Sequence, residues 1–130
     1  MTSKELSDRL IDFAVRAGQA ADAMPETRLG RHVAGQLVRS ATSPAPNYEE
    51  GCAAESKADF AHKLSICLKE LRESRVWIRM ALKAKLLPDT VLLPLLEESD
   101  QLCRIIGKSV ATAKGCGGQK SAGPQVRAGN

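Results

Sequence analysis

Four cations along one predicted helix are the residues of this chain whose types and spacing most favour ligand binding. They are Lys69, Arg72, Arg79 and Lys83. Helical spacing places all four on one outward side, with Val76 interrupting the line. A basic stripe on a rigid helix can follow a phosphate backbone, and binding of that kind weakens as salt rises because each contact releases counterions. The alternative is an ordinary solvated face whose charge is balanced by Glu70 and Glu73.

Metal binding is a second kind of chemistry that helical chains support. A two-metal site in a four-helix bundle needs inward Glu residues and Glu-x-x-His motifs, and this sequence contains no Glu-x-x-His. The stretch from Asp59 to His62 is the nearest approximation, and the other histidine, His32, falls on a different predicted helix. Nucleophile elbows and phosphate-binding glycine loops are also missing. We therefore predict no catalytic residues, no metal site, no cofactor and no enzymatic activity.

The basic stripe lies on a stretch without glycine or proline that runs from Ser56 to Leu87. Ser56 followed three residues later by Asp59 is typical of a helix start, and Pro88 follows the stretch. Its expected inward residues are spaced alternately four and three apart, namely Phe60, Leu64, Cys67, Leu71, Ser74, Ile78 and Ala81. This pattern predicts one long helix that contributes a seam to a bundle.

Two other helices show the same spacing at either end of the chain. The first should start after Thr2 or Ser3 and end near Met24, ahead of a proline. Its inward residues are Leu6, Leu10, Phe13, Ala17, Ala20 and Met24. The last should run from about Leu92 to Ala113.

The remaining helix contains two prolines. It should begin near Thr27, and its expected inward residues are Leu29, Val33, Leu37 and Ser40. Pro44 and Pro46 each remove a backbone donor and crowd the carbonyl four residues earlier. We predict that this second helix is kinked at Pro44/Pro46, with a break into two helices as the alternative.

Composition supports a fold built only from helices. Hydrophobic residues make up 43% of the 130 residues but aromatic residues only 3%, which suits close-packed helices. Short connections between helices with heptad spacing predict an all-α, up-down-up-down, left-handed four-helix bundle over residues 1–113. Residues 114–130, rich in Gly, Ser and Gln, are predicted to form a disordered tail.

Charge and cysteine content set further limits. The net charge is +4, but three of the bases and no acid lie from Lys114 onward, so the body carries only 16 bases against 15 acids. The four cysteines form no C-x-x-C pair, and we expect Cys52, Cys67 and Cys103 to be core thiols. No signal peptide or membrane-spanning stretch is recognisable, so we expect a cytoplasmic protein without membrane contact.

Two helices carry more apolar surface than one seam requires. Ile11, Val15 and Gly18 form a second stripe on the first helix, and Trp77 and Met80 flank the seam of the central helix. We interpret these five residues as a homo-oligomer interface. A broad monomer core is the alternative.

A longer run of residues resembles a known family. The sequence is similar to the four-helix bundle protein family in three stretches. They are Arg39-Ser40-Ala41-Thr42-Ser43, Asn47-Tyr48-Glu49-Glu50, and the pattern from Ser56 through Lys69-Glu70-Leu71-Arg72-Glu73-Ser74-Arg75 to Trp77. Members of this family include proteins encoded by intervening sequences within bacterial 23S ribosomal RNA genes. The resemblance covers residues 4 to 113 and implies a bundle that assembles as a homopentamer. It extends to the accessory protein of diversity-generating retroelements, a pentameric barrel that binds nucleic acid and works with a reverse transcriptase.

Two hypotheses for function follow from the stripe and the resemblance. The first is a homo-oligomeric accessory protein that binds nucleic acid, with RNA preferred over DNA, through the four cations of the stripe. The second is an oligomeric scaffold that binds a protein partner without contacting nucleic acid. RNA binding across a salt series separates the two hypotheses.

Overall fold

A computed structural model describes residues 1–114 of the chain, and this part is entirely helical. Its five helices are α1 (Ser3–Ala23), α2 (Arg28–Thr42), α3 (Pro44–Cys52), α4 (Lys57–Lys83) and α5 (Asp89–Ala113). The all-α four-helix prediction is confirmed, with α2 and α3 together occupying the place of the second helix. The predicted tail lies outside the described residues from position 115 onward.

Helix starts coincide with the capping residues expected from the sequence. The Thr2 hydroxyl accepts from the Glu5 backbone N–H at 3.0 Å, and the Glu5 carboxylate accepts from the Thr2 N–H at 2.8 Å. The hydroxyls of Thr27 and Ser56 accept in the same way from the third residue that follows each, both at 3.0 Å. These bonds satisfy N–H groups that the first turn of a helix leaves without partners.

The end of α4 differs from the prediction. The helix stops at Lys83 rather than Leu87, because Lys85 adopts a left-handed backbone conformation with φ of 53°. The Leu86 N–H then donates to the Ala81 carbonyl at 3.0 Å, and the Lys85 N–H donates to the Leu82 carbonyl at 3.1 Å. This pair of bonds is the Schellman ending, which usually places glycine where Lys85 stands.

The interruption of the second helix falls directly before Pro44. Only Ser43 separates α2 from α3, and its backbone remains in the helical region, with φ of −76° and ψ of −38°. Pro44 is the first residue of α3, where a missing N–H costs little. The Asn47 side chain donates to the Ser43 carbonyl at 3.0 Å and so satisfies a group at the junction. The structure thus has two helices on either side of Ser43, and the kink at Pro44/Pro46 remains a prediction.

The core lies between α1, α2, α4 and α5 and follows the predicted seams. All six inward residues of α1 are buried, and on α4 every predicted inward residue except the half-buried Phe60 is buried. Both α1 and α4 pack against α2, α3 and α5, which places α1 and α4 across the bundle from each other. The up-down order and the left-handed twist remain predictions.

Two residues expected inside are on the surface. Leu29 is 46% exposed, and Gly30 takes the inward position because the Met24–Thr27 turn folds closely over the start of α2. A Cβ atom on Gly30 would lie 2.1 Å from the Pro25 carbonyl oxygen. Cys52 is also exposed, at the last residue of α3, whereas Cys67 and Cys103 are buried as predicted.

Candidate nucleic-acid interface

The basic stripe faces outward along α4. Its four members, Lys69, Arg72, Arg79 and Lys83, are all exposed. Among residues 1–114, none of them has a carboxylate within ion-pair distance. The charge of the stripe is therefore available to an external anion.

The two acids that could have balanced the stripe are bound on its other side. Arg39 of α2 forms an ion pair with Glu70 at 3.2 Å and a second, closer ion pair with Glu73. The indole N–H of Trp77 donates to the Glu73 carboxylate at 3.0 Å. These contacts turn both carboxylates toward α2. Glu70 and Glu73 therefore do not balance the charge of the stripe, as the alternative of an ordinary solvated face requires.

Cations of α5 extend the basic surface. Burial raises the pKa of the Cys103 thiol, as does the charge of Asp100, while the charges of Arg75, Arg72 and Arg104 act to lower it. Arg75 is paired with Asp100 of α5 at 3.3 Å, whereas Arg72 and Arg104 have no ion pair within residues 1–114. Lys108 is exposed one turn further along α5. The sequence did not reveal this arrangement because it depends on how α4 and α5 align.

Polar contacts between helices hold this surface in place. The Arg9 guanidinium donates to Glu98 at 2.7 and 2.9 Å and to Gln101 at 2.6 Å, joining α1 to α5. The buried Ser74 hydroxyl bonds to Ser40 at 2.9 Å and joins α4 to α2. The predicted site is therefore carried by the longest helix of a tightly connected scaffold.

The predicted oligomer residues occupy two separate surfaces. On α1, Ile11 and Val15 are 46% and 52% exposed, and Gly18 is half-buried beside them. On α4, Met80 is 38% exposed and Trp77 is half-buried, with the His32 ring edge-on to the indole at a centroid distance of 5.7 Å. The structure does not bring the two sets together within one copy, because α1 and α4 lie across the bundle from each other.

The described part of the chain has neither a cluster of metal ligands nor a membrane-spanning helix. Residues 1–114 contain no group of three His, Cys, Asp or Glu side chains placed to hold a metal ion. None of the helices between Ser3 and Ala113 combines the length and apolarity needed to cross a bilayer.

Comparison with known proteins agrees with the helical framework. The sequence profile of the 23S rRNA-intervening sequence protein family matches residues 5–108. The chain belongs to this family. This chain is similar to a crystal structure of a protein with unknown function from the S23 ribosomal protein family of Bacteroides thetaiotaomicron, with a TM-score of 0.72 and 25% sequence identity. The match covers 81% of this chain and 97% of that chain. Comparison with curated proteins found no match.

Proposed function

We propose that this member of the intervening-sequence family is a non-enzymatic, homo-oligomeric accessory protein that binds RNA in the cytoplasm. The observation that carries the proposal is the exposed stripe on α4, whose cations have no ion-pair partner among residues 1–114 while neighbouring Glu70 and Glu73 are held by Arg39. Four unpaired cations spread over four turns suit a phosphate backbone better than a single small anion.

Assembly is the second part of the proposal. We propose a homopentamer, which is the state implied by the family resemblance. The exposed apolar side chains of Ile11, Val15 and Met80 support an assembly, since a monomer would gain nothing from leaving them in water. Repetition of the stripe in each copy would multiply the number of phosphate contacts.

The test is RNA binding measured by fluorescence anisotropy from 50 to 300 mM salt. The test variant replaces Lys69, Arg72, Arg79 and Lys83 with Gln. Since each phosphate contact contributes roughly 0.7 to 0.9 to the slope of log affinity against log salt, we expect the slope to fall by about 3 per copy. Affinity at low salt should fall by at least about tenfold.

A matched control removes the same charge elsewhere. Its four replaced cations are exposed and have no ion pair among residues 1–114, namely Arg16, Lys57, Lys85 and Lys114. This control should bind RNA nearly as the native protein does. Absence of RNA binding at low salt, or equal slopes for the two variants, would refute the proposal and favour a scaffold for a protein partner.

A further inference from the structure

The exposed apolar residues form two unlike surfaces, and their difference indicates how copies meet. The α1 strip consists of Ile11, Val15 and Gly18, one to two turns apart on the outer side of α1. The α2–α4 patch consists of Leu29, Trp77 and Met80. Ile11, Val15, Leu29 and Met80 are each between 38% and 52% exposed.

The patch is continuous across two helices. α2 and α4 run antiparallel, since Ser40 contacts Ser74 whereas His32, eight residues earlier, contacts Trp77 further along α4. Leu29 lies one turn before His32, and Met80 lies one turn after Trp77, so both flank the same contact. Leu29 and Met80 therefore lie at the same end of this contact, on neighbouring helices.

The charged residues beside the two surfaces are complementary. Asp12 and Asp22 are exposed on α1 beside the strip and outnumber the exposed Arg16, while Asp8 is paired with Lys4 at 2.9 Å. Arg28 is exposed next to Leu29, and Lys83, the last cation of the stripe, is exposed one turn beyond Met80. Opposite charges around two apolar surfaces favour contact between strip and patch and disfavour contact of either surface with itself.

The structure of a single copy does not explain why position 18 of the strip is glycine. It lies inside α1, where glycine weakens a helix, and a Cβ atom built on it would meet nothing within 4 Å. No packing contact inside the described chain therefore requires glycine at this position. A helix from outside could approach the α1 backbone closely there, which suits a contact with another helical surface.

We propose that the α1 strip of one copy binds the α2–α4 patch of the next copy. This inference rests on the homo-oligomer of the proposed function and adds which surfaces meet. Because α1 and α4 lie across the bundle from each other, each copy can use both surfaces at once. A contact between two different surfaces is head-to-tail, which builds a closed ring when the rotation between copies allows it.

Two single variants and their mixture test this arrangement. Val15→Lys damages the strip and Met80→Lys damages the patch, and both positions are exposed, so the fold should persist by circular dichroism. Light scattering should show an oligomer for the native protein and a mass of about 13.9 kDa for each variant alone. An equimolar mixture should form a 1:1 dimer and nothing larger, because only one intact strip can meet one intact patch.

Each other outcome excludes the arrangement. Self-pairing of strips would leave Met80→Lys oligomeric, and self-pairing of patches would leave Val15→Lys oligomeric. A mixture that stays monomeric would show that the two surfaces do not bind each other. A native protein of 13.9 kDa would refute the oligomer itself, whereas a native oligomer that both variants retain would refute only the pairing of strip and patch.

Controls separate the pairing from general charge effects. Leu93→Lys places the same cation at a 51% exposed position on α5, outside both surfaces, and should leave the native oligomer intact. If Val15→Lys or Met80→Lys alters the fold, Ile11→Lys and Leu29→Lys replace them, because these residues belong to the same two surfaces. Neither test depends on RNA, so RNA binding can fail while the pairing holds.

Discussion

At the scale of single residues, Cys67 shows how burial changes a side chain's chemistry. Its thiol is fully buried, donates to the Pro44 carbonyl at 3.2 Å, and has its pKa raised by burial from 9.0 to about 12. As pH rises above 9, the unfolded chain loses this proton first, so the folded state binds more protons and stability falls. The contribution of the protonated Cys67 thiol to stability is thus complete below pH 9 and is lost progressively up to about pH 12.

Cys67→Ser should reduce this loss, since serine does not titrate and can keep the bond to Pro44. Tyr48, whose pKa burial also raises to about 12, is common to both proteins. The charge of Cys67 contributes to that shift, but neither group ionises in the folded state below pH 10.5, so in this range the difference between the profiles reflects the thiol. Between pH 9 and 10.5 the native protein should lose roughly 1 to 2 kcal/mol more than the variant, at about 1.4 kcal/mol per pH unit. Urea unfolding at fixed protein concentration measures the stability of both proteins at each pH. Parallel profiles of stability against pH would contradict the prediction.

At the scale of helices, Gly30 shows that one turn depends on the absence of a side chain. A Cβ atom there would lie 2.1 Å from the Pro25 backbone oxygen and 2.9 Å from the Thr27 hydroxyl that caps α2. Gly30→Ala should therefore displace the turn between α1 and α2 and destabilise the protein by about 2 to 3 kcal/mol in urea unfolding.

A second interior glycine provides the control for that prediction. At Gly107 of α5 a Cβ atom would meet only the Leu68 methyl groups, at 4.0 Å. Gly107→Ala should raise stability by about 0.5 to 1 kcal/mol, because alanine is the better helix former. If both substitutions changed stability by the same amount, the packing explanation for Gly30 would be wrong.

Helix positions and seams are largely predictable from this sequence, whereas helix ends and contacts between helices are not. The inward spacing of Leu64, Cys67 and Leu71 depends only on local periodicity, and the structure confirms it. The early end of α4 requires a left-handed Lys85, which local rules expect of glycine. Arg39 reaches Glu70 and Glu73 across 31 and 34 residues, so that pairing depends on how α2 and α4 align.

The same distinction applies to the candidate site. The outward direction of Lys69, Arg72, Arg79 and Lys83 follows from helical spacing, and their exposure agrees with it. That Arg72 and Arg104 both act on the Cys103 thiol does not follow, because it arises from the packing of α5 on α4. Leu29 was wrongly expected inside because the fold of the Met24–Thr27 turn over Gly30 is a tertiary contact.

At the scale of the whole molecule, assembly should determine how strongly RNA binds. A ring repeats the α4 stripe in every copy, and an RNA held by one copy meets the next stripe at high effective concentration. Val15→Lys, which we expect to be monomeric, keeps all four stripe cations and adds one positive charge. Charge alone would therefore strengthen its binding, so a weaker affinity can only reflect lost assembly.

We expect Val15→Lys to bind a single-stranded RNA of about 60 nucleotides at least about 100-fold more weakly than the native protein, as multivalent binding implies. Its salt dependence should fall to that of one stripe, a slope of about 3. A 12-nucleotide RNA, too short to bridge copies, should bind both proteins about equally in anisotropy titrations. Equal affinity for the long RNA would mean that one copy carries the whole binding site, because no contribution from neighbouring stripes would then be needed.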